Sequence, residues 1–202
     1  MKKVLFILAT LLALCVTKLK AQDCLMADMM IIVDWSGSEQ GHEIEVATAA
    51  ALFVSELPVQ ENTLRVGVIA FSDEIDTTFS LTGDKEKIMN DIVVLSEYGA
   101  GGGTYINKAL NESGRQLLNT RMVPKIIIII SDGEISDIEE SSMTAFRLKS
   151  MMSVTIFAVQ IGRDEVKGDI EYLIKLTGSP DNVEVAVPTG ILEALKKLNI
   201  CG

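Results

Sequence analysis

Ile126-Ile127-Ile128-Ile129-Ile130, entered from Lys125 and left through Ser131-Asp132, is a run of five β-branched apolar residues. Successive side chains of extended chain point to opposite faces, so this run cannot belong to a strand with one wet face. It fits a central strand covered by helices on both sides, as in a parallel sheet. Outward from it, apolar runs alternate with amphipathic stretches along the chain. Strands are expected over 29–33, 64–71, 125–130, 154–160 and 183–187, and helices over 39–56, 84–95, 105–118, 139–151, 169–176 and 189–198. That alternation predicts an α/β fold, a doubly wound, Rossmann-like, mostly parallel sheet with helices on both faces. Residues 74–79, after Ser72-Asp73, are expected to fold back on 64–71 as one antiparallel edge strand. Pro58, Pro124, Pro180 and Pro188 fall in connections or first helical turns, where a missing N–H is harmless. No internal repeat or linker is visible, and residues 22–202 read as one domain.

The isoleucine strand leads into Ser131-Asp132-Gly133-Glu134, and the first strand leads into Asp34-Trp35-Ser36-Gly37-Ser38. In an open parallel sheet, ligands bind beyond the carboxyl ends of strands where the winding reverses. Both carboxylates lie at that edge, and if the two strands are neighbours the crevice falls between them. The stretch Gly101-Gly102-Gly103-Thr104-Tyr105 precedes the helix that feeds the isoleucine strand, so it arrives at the same edge. Asp34, Ser36 and Ser38 alternate, which delivers three oxygens to one point. Oxygen-only clusters suit hard cations such as Mg2+ or Mn2+. The same Asp-x-Ser-x-Ser pattern also fits a helix N-cap, because Ser38 precedes Glu39 and a long helix.

Taken together, Asp34, Ser36, Ser38, Thr104 and Asp132 resemble the metal-ion-dependent adhesion site of the von Willebrand factor A domain family, and the resemblance spans 22–202. It implies direct coordination by Ser36, Ser38 and Thr104, with Asp34 and Asp132 acting through water and hydrogen bonds. Neutral hydroxyl ligands leave a divalent cation under-neutralised, so it accepts an Asp or Glu from a protein partner. Trp35 and Tyr105 flank proposed ligands, either as a partly exposed aromatic rim against the partner or as packing over helix ends. Glu134 either joins the site or opens the next connection. In some relatives ligand binding shifts the C-terminal helix, here 189–198.

Enzyme chemistries find little purchase. A nucleophilic Ser36 lacks a Gly-x-Ser-x-Gly elbow, and the single histidine, His42, is expected on the solvent face of the first helix. Zinc ligands are missing, and the glycine-rich loop lacks the Lys-Ser/Thr ending of a P-loop. A metal-assisted phosphoesterase would draw on carboxylate and histidine ligands rather than hydroxyls. The expectation is therefore no catalysis; the alternative of another class is a structural scaffold in an envelope complex whose metal only stabilises the fold, and the remaining enzyme alternative is the metal-assisted phosphoesterase.

Residues 1–21 read as a signal peptide: Lys2 and Lys3, an apolar stretch over 4–16, and Leu19-Lys20-Ala21 before Gln22. The stretch is too short to span a bilayer, and the competing reading is a retained anchor. Its removal takes four lysines and no acid, moving the net charge from −10 to −14. Such a chain repels nucleic acid and anionic lipid. A secreted or periplasmic monomer is expected, without membrane insertion after cleavage. Cys24 and Cys201 then stand near the two mature ends and read as one disulfide, the other reading being two free thiols in a reducing compartment. That pairing also resembles the terminus-linking disulfide of some extracellular von Willebrand factor A domains. The Asn111-Glu112-Ser113 sequon falls inside an expected helix.

Overall fold

A computed structural model describes residues 26–118, 120–132, 135–162 and 170–198. The signal peptide, Cys24, Cys201 and Glu134 lie outside them. Six strands, β1 (Ala27–Asp34), β2 (Leu64–Phe71), β3 (Ile75–Thr82), β4 (Lys125–Ser131), β5 (Val154–Ile161) and β6 (Val183–Ala186), form one sheet in the order β3-β2-β1-β4-β5-β6. All pairings are parallel except the β2–β3 hairpin, whose outer strand is the antiparallel edge. Six helices connect them: α1 (Glu43–Glu56), α2 (Lys85–Leu95), α3 (Ile106–Leu118), α4 (Ile138–Met152), α5 (Ile170–Thr177) and α6 (Ile191–Lys197).

The isoleucine strand is central, as its composition requires. Ile126, Ile128 and Ile130 join Met29, Ile31 and Val33 of β1 beneath α1, α2 and α6. Ile127 and Ile129 join Met30 and Ile32 beneath α3, α4 and α5 on the opposite face. Each such side chain withdrawn from water contributes roughly 1.5–3 kcal/mol, so both layers hold the sheet in register. β1 and β4 are direct neighbours, pairing Val33 with Ile130. From β1 the chain winds outward to β2 and β3, and from β4 it winds the other way to β5 and β6. The reversal therefore falls between the carboxyl ends of β1 and β4.

The opposite sheet edge is closed by charge. Asp28, fully buried, accepts from Arg65 Nε and Nη2 at 2.9 and 2.8 Å and from Arg121 Nε at 3.1 Å. Arg121, from the α3–β4 connection, also donates to the carbonyls of Ala27, Glu61 and Thr63, tying that connection to the α1–β2 connection and to the start of β1. Burial alone would lift the Asp28 carboxyl, but the hydrogen bonds and charge of Arg65, with Arg121 beside it, outweigh that and hold it below the usual carboxylate range.

One helix boundary differs from expectation. A 3-10 turn over Gly37–Glu39 and a left-handed Gly41 (φ 91°) intervene, so α1 begins at Glu43 rather than at residue 39. Ser38 therefore does not cap it. His42 occupies the N-cap position, half-buried, with Nδ1 enclosed and without a hydrogen-bond partner among the described residues, so it is not the solvent-facing helical residue expected. The cause is the demand of the preceding turn, which carries the chain away from β1 before a helix can start.

Candidate metal centre

Asp34 is fully buried where β1 ends. Its Oδ1 accepts from the Ser36 backbone N–H at 3.0 Å and its Oδ2 from Ser131 Oγ at 2.6 Å. The first bond curls the chain so that Ser36 and Ser38 turn toward each other, with their hydroxyl oxygens 2.9 Å apart. Ser36 is buried, and Ser38 is half-buried on the open side. Asp132, also buried, follows Ser131 directly and adds a like charge near Asp34. Burial pushes the Asp34 carboxyl up to about 6, although the hydrogen bonds from Ser131 and Ser36 oppose that rise.

Backbone bonds bring Thr104 to the same edge. Gly101 N–H donates to the Trp35 carbonyl and Gly37 N–H to the Gly102 carbonyl, both at 2.9 Å. The two loops are thereby stitched together two residues before Thr104, which is buried. Gly102 sits at φ 80°, and a Cβ there would lie 2.5 Å from Asp73 Oδ2. Both constraints demand glycine. Asp73, from the β2–β3 turn, accepts from Gly103 N–H at 2.8 Å. Beyond the loop, Tyr105 N–H donates to the Ser72 carbonyl at 3.0 Å, and Ser136 N–H to the Thr104 carbonyl at 2.8 Å. The Asp137 carboxylate accepts from the Ile106 and Asn107 N–H groups at 3.1 and 2.8 Å, capping α3 and fixing the backbone directly after Thr104.

The structure thus gathers Asp34, Ser36, Ser38, Thr104 and Asp132 at one edge. It corrects the rim. Trp35 is 2 % exposed, and its Nε1 donates to the Tyr98 carbonyl at 2.9 Å. It packs under the glycine-rich loop, because the curl that points Ser36 and Ser38 at each other turns the residue after Asp34 into the core. Tyr105 is 41 % exposed and remains available to solvent.

Sequence reading missed three supporting residues. Ser131 had a signal, a hydroxyl at the end of a fully buried strand, where an unpaired polar group is costly. Asp73 and Asp137 had none, since their partners lie 30 or more residues away in sequence.

Chemically, the edge offers hydroxyl oxygens backed by two buried carboxylates, a donor set suited to a hard divalent cation. Asp34 fits this directly: its ionised form is disfavoured by burial, and a positive charge beside it would favour that form again. Among the described residues no group of three or more His, Cys, Asp or Glu side chains is placed to hold a metal.

The model of the von Willebrand factor type A domain matches residues 28–195. The collagen alpha-6(VI) chain of Homo sapiens is 27 % identical over 161 residues, covering 76 % of this chain and 7 % of the collagen chain. Matrilin-3 of Gallus gallus is 27 % identical over 179 residues, covering 83 % of this chain and 38 % of matrilin-3. This chain therefore spans well under half the length of those relatives. Among solved structures, proximal thread matrix protein 1 from the mussel byssus superposes with a TM-score of 0.73 at 19 % identity, over 89 % of this chain and 46 % of that one. A form of that protein has a zinc-occupied metal-ion-dependent adhesion site motif. The manganese-loaded TRAP protein of Plasmodium vivax superposes with a TM-score of 0.67 at 19 % identity, over 84 % of this chain and 72 % of that one. The chain belongs to the von Willebrand factor type A domain family.

Proposed function

We propose that this domain binds a protein partner through a divalent cation, Mg2+ or Mn2+, held by Ser36, Ser38 and Thr104 with Asp34 and Asp132 behind them. The observation that carries the proposal is the pair of serine hydroxyls 2.9 Å apart beside a buried carboxylate that hydrogen-bonds the turn between them. When bound, such a cation supplies a positive charge and an exchangeable position open to a partner's Asp or Glu. Asp34 orients the serine turn through its bond to the Ser36 N–H and contributes negative charge without standing on the solvent side. Thr104 is positioned by the Gly37–Gly102 bond and by Asp137, which caps the start of α3 from its place just before α4, so the loop presents its hydroxyl on a rigid support. Tyr105, exposed beside Thr104, forms the rim against the partner. No catalytic step is assigned to these groups.

The relatives support an adhesion-type role, since collagen VI and the matrilins are named for matrix proteins and a neighbouring fold is a pilus adhesin, SpaC of Lactobacillus rhamnosus GG. The zinc- and manganese-containing neighbours support a divalent metal. With residues 1–21 as a signal peptide, the domain is exported and works as a secreted or periplasmic monomer, its ends joined by Cys24 and Cys201.

The test is a screen of immobilised extracellular proteins against the mature domain in Mg2+, Mn2+ and chelator. Binding that requires metal, that S36A/S38A abolishes and that is lost when one partner Asp or Glu becomes Asn or Gln is the expected result. Partner binding of equal strength in chelator would overturn it and favour a scaffold.

A further inference from the structure

The flank built by α3, α4 and α5 carries a surface that the metal edge does not use. α4 buries Ser141, Thr144, Ala145 and Leu148 inward. Outward it presents Met143, Phe146 and Met151, exposed by 68, 67 and 80 %. These three fall within one side of the helix. Single exposed apolar residues are ordinary, but here three large ones stand on one helix side, bordered by grooves. A groove of about 310 Å³ between α3 and α4 is lined by Leu118 and Met151. A second, of about 460 Å³ between α4 and α5, is lined by Met143 and Phe146. Methionine at such a surface repacks readily around a partner's side chains.

Charge selects the occupant. The chain carries 28 acidic and 18 basic side chains; half of the twelve described cations, Arg65, Lys87, Lys108, Arg115, Arg121 and Lys196, form ion pairs, and Lys85 and Lys149 donate to backbone carbonyls instead. Arg147 and Lys175 form none among the described residues, and both line the Met143–Phe146 groove. Arg147 borders the other groove too, and its Nη2 donates to Thr144 Oγ1 at 2.9 Å, which steadies the guanidinium above the junction. Glu139 lies at the far end of the second groove, eight residues earlier and so about 12 Å along the helix. The basic end is thus at Arg147 and Lys175.

We propose that this flank docks an acidic amphipathic helix of a partner protein, whose apolar side chains seat on Met143, Phe146 and Met151 while its carboxylates pair with Arg147 and Lys175. A helix in a groove flanked by helices buries its apolar stripe and leaves its acids at the rim, where two unpaired cations stand. The contact involves none of the metal-edge residues, so it is independent of divalent cation. A domain with both surfaces bridges two partners, one captured through metal and one held without it.

The experiment is selection from a displayed library of stabilised helical peptides against the mature protein in chelator. The recovered peptides are then measured by fluorescence anisotropy against wild type, F146S, M143S and R147E/K175E, each confirmed as folded by circular dichroism. The proposal expects enrichment of peptides with an apolar stripe bordered by Asp and Glu. It further expects affinity at least tenfold weaker in F146S and R147E/K175E, and unchanged by Mg2+. No enrichment, enrichment without acidic bias, or equal binding to the variants would overturn it. Sedimentation showing a dimer that F146S dissolves would assign the flank to a second copy instead, and likewise overturn it.

Discussion

Burial pushes the Asp34 carboxyl up to about 6, and this gives the metal edge a pH signature. An unfolded Asp titrates near 3.9, so between roughly pH 4 and 6 the metal-free folded state holds a proton that the unfolded state has released. Linkage then makes stability fall as pH rises through that window, with the loss complete above about 6. A cation beside Asp34 removes the disadvantage of the ionised form. The increase in Tm on adding Mg2+ or Mn2+ should therefore be larger at pH 7 than at pH 5, measured by differential scanning calorimetry; an equal increase at both would separate Asp34 from the cation. At this scale the ligand-type residues were legible in the sequence, because Asp34, Ser36 and Ser38 alternate within one short stretch. The fate of Trp35 was not. Whether the residue between two alternating ligands faces solvent or core depends on the Gly101–Trp35 and Trp35–Tyr98 hydrogen bonds, which join segments over 60 residues apart. A glycine records such a constraint better: at Gly102, G102A combines a left-handed φ with a Cβ 2.5 Å from the Asp73 carboxylate. It should cost about 1–2 kcal/mol by the left-handed penalty alone, and weaken cation binding because the stitch to Gly37 is displaced. Denaturant melts and calorimetric titration check the two effects separately.

Elements were the best-predicted level. The five isoleucines of β4 fixed its central place, and the hairpin edge strand β3 followed from the polar turn Ser72-Asp73. The start of α1 was misplaced because Ser38 and Glu39 look like an N-terminal capping signal, whereas Ser38 bonds Ser36 and the helix waits until Glu43. Helix α3 shows the reverse: its cap, Asp137, comes from a residue beyond the following strand, invisible to any local pattern. D137A should cost about 1 kcal/mol, as N-cap losses do. It should also weaken metal affinity, because the backbone after Thr104 loses its anchor. A helix merely frayed at one end would lose stability and leave affinity unchanged, which makes the paired measurement informative.

For the whole molecule, the sheet separates two kinds of charge. At the carboxyl edge, two buried acids stand together with hydroxyls; at the other, Asp28 is neutralised by Arg65 and Arg121 and clamps three chain segments. Removing one member of a buried ion network leaves the others uncompensated, so D28A should cost about 3–5 kcal/mol, read from urea denaturation at neutral pH, with metal affinity of the folded fraction unaffected. Because the Asp28 carboxyl is held low, its contribution is present above the unfolded carboxylate range and lost as pH falls below it. This long-range clamp was not legible in the sequence, since Asp28, Arg65 and Arg121 carry no shared pattern. The topology was legible in outline, and with it the crevice between β1 and β4, because alternating strands and helices admit few arrangements. The central claim, that this crevice holds a divalent cation, is tested most directly by calorimetric titration of Mg2+ and Mn2+ into chelator-treated mature protein beside S36A/S38A. Saturable binding to wild type that disappears in the folded double variant is the predicted result; binding that persists undiminished in the variant, or none to wild type, would contradict it.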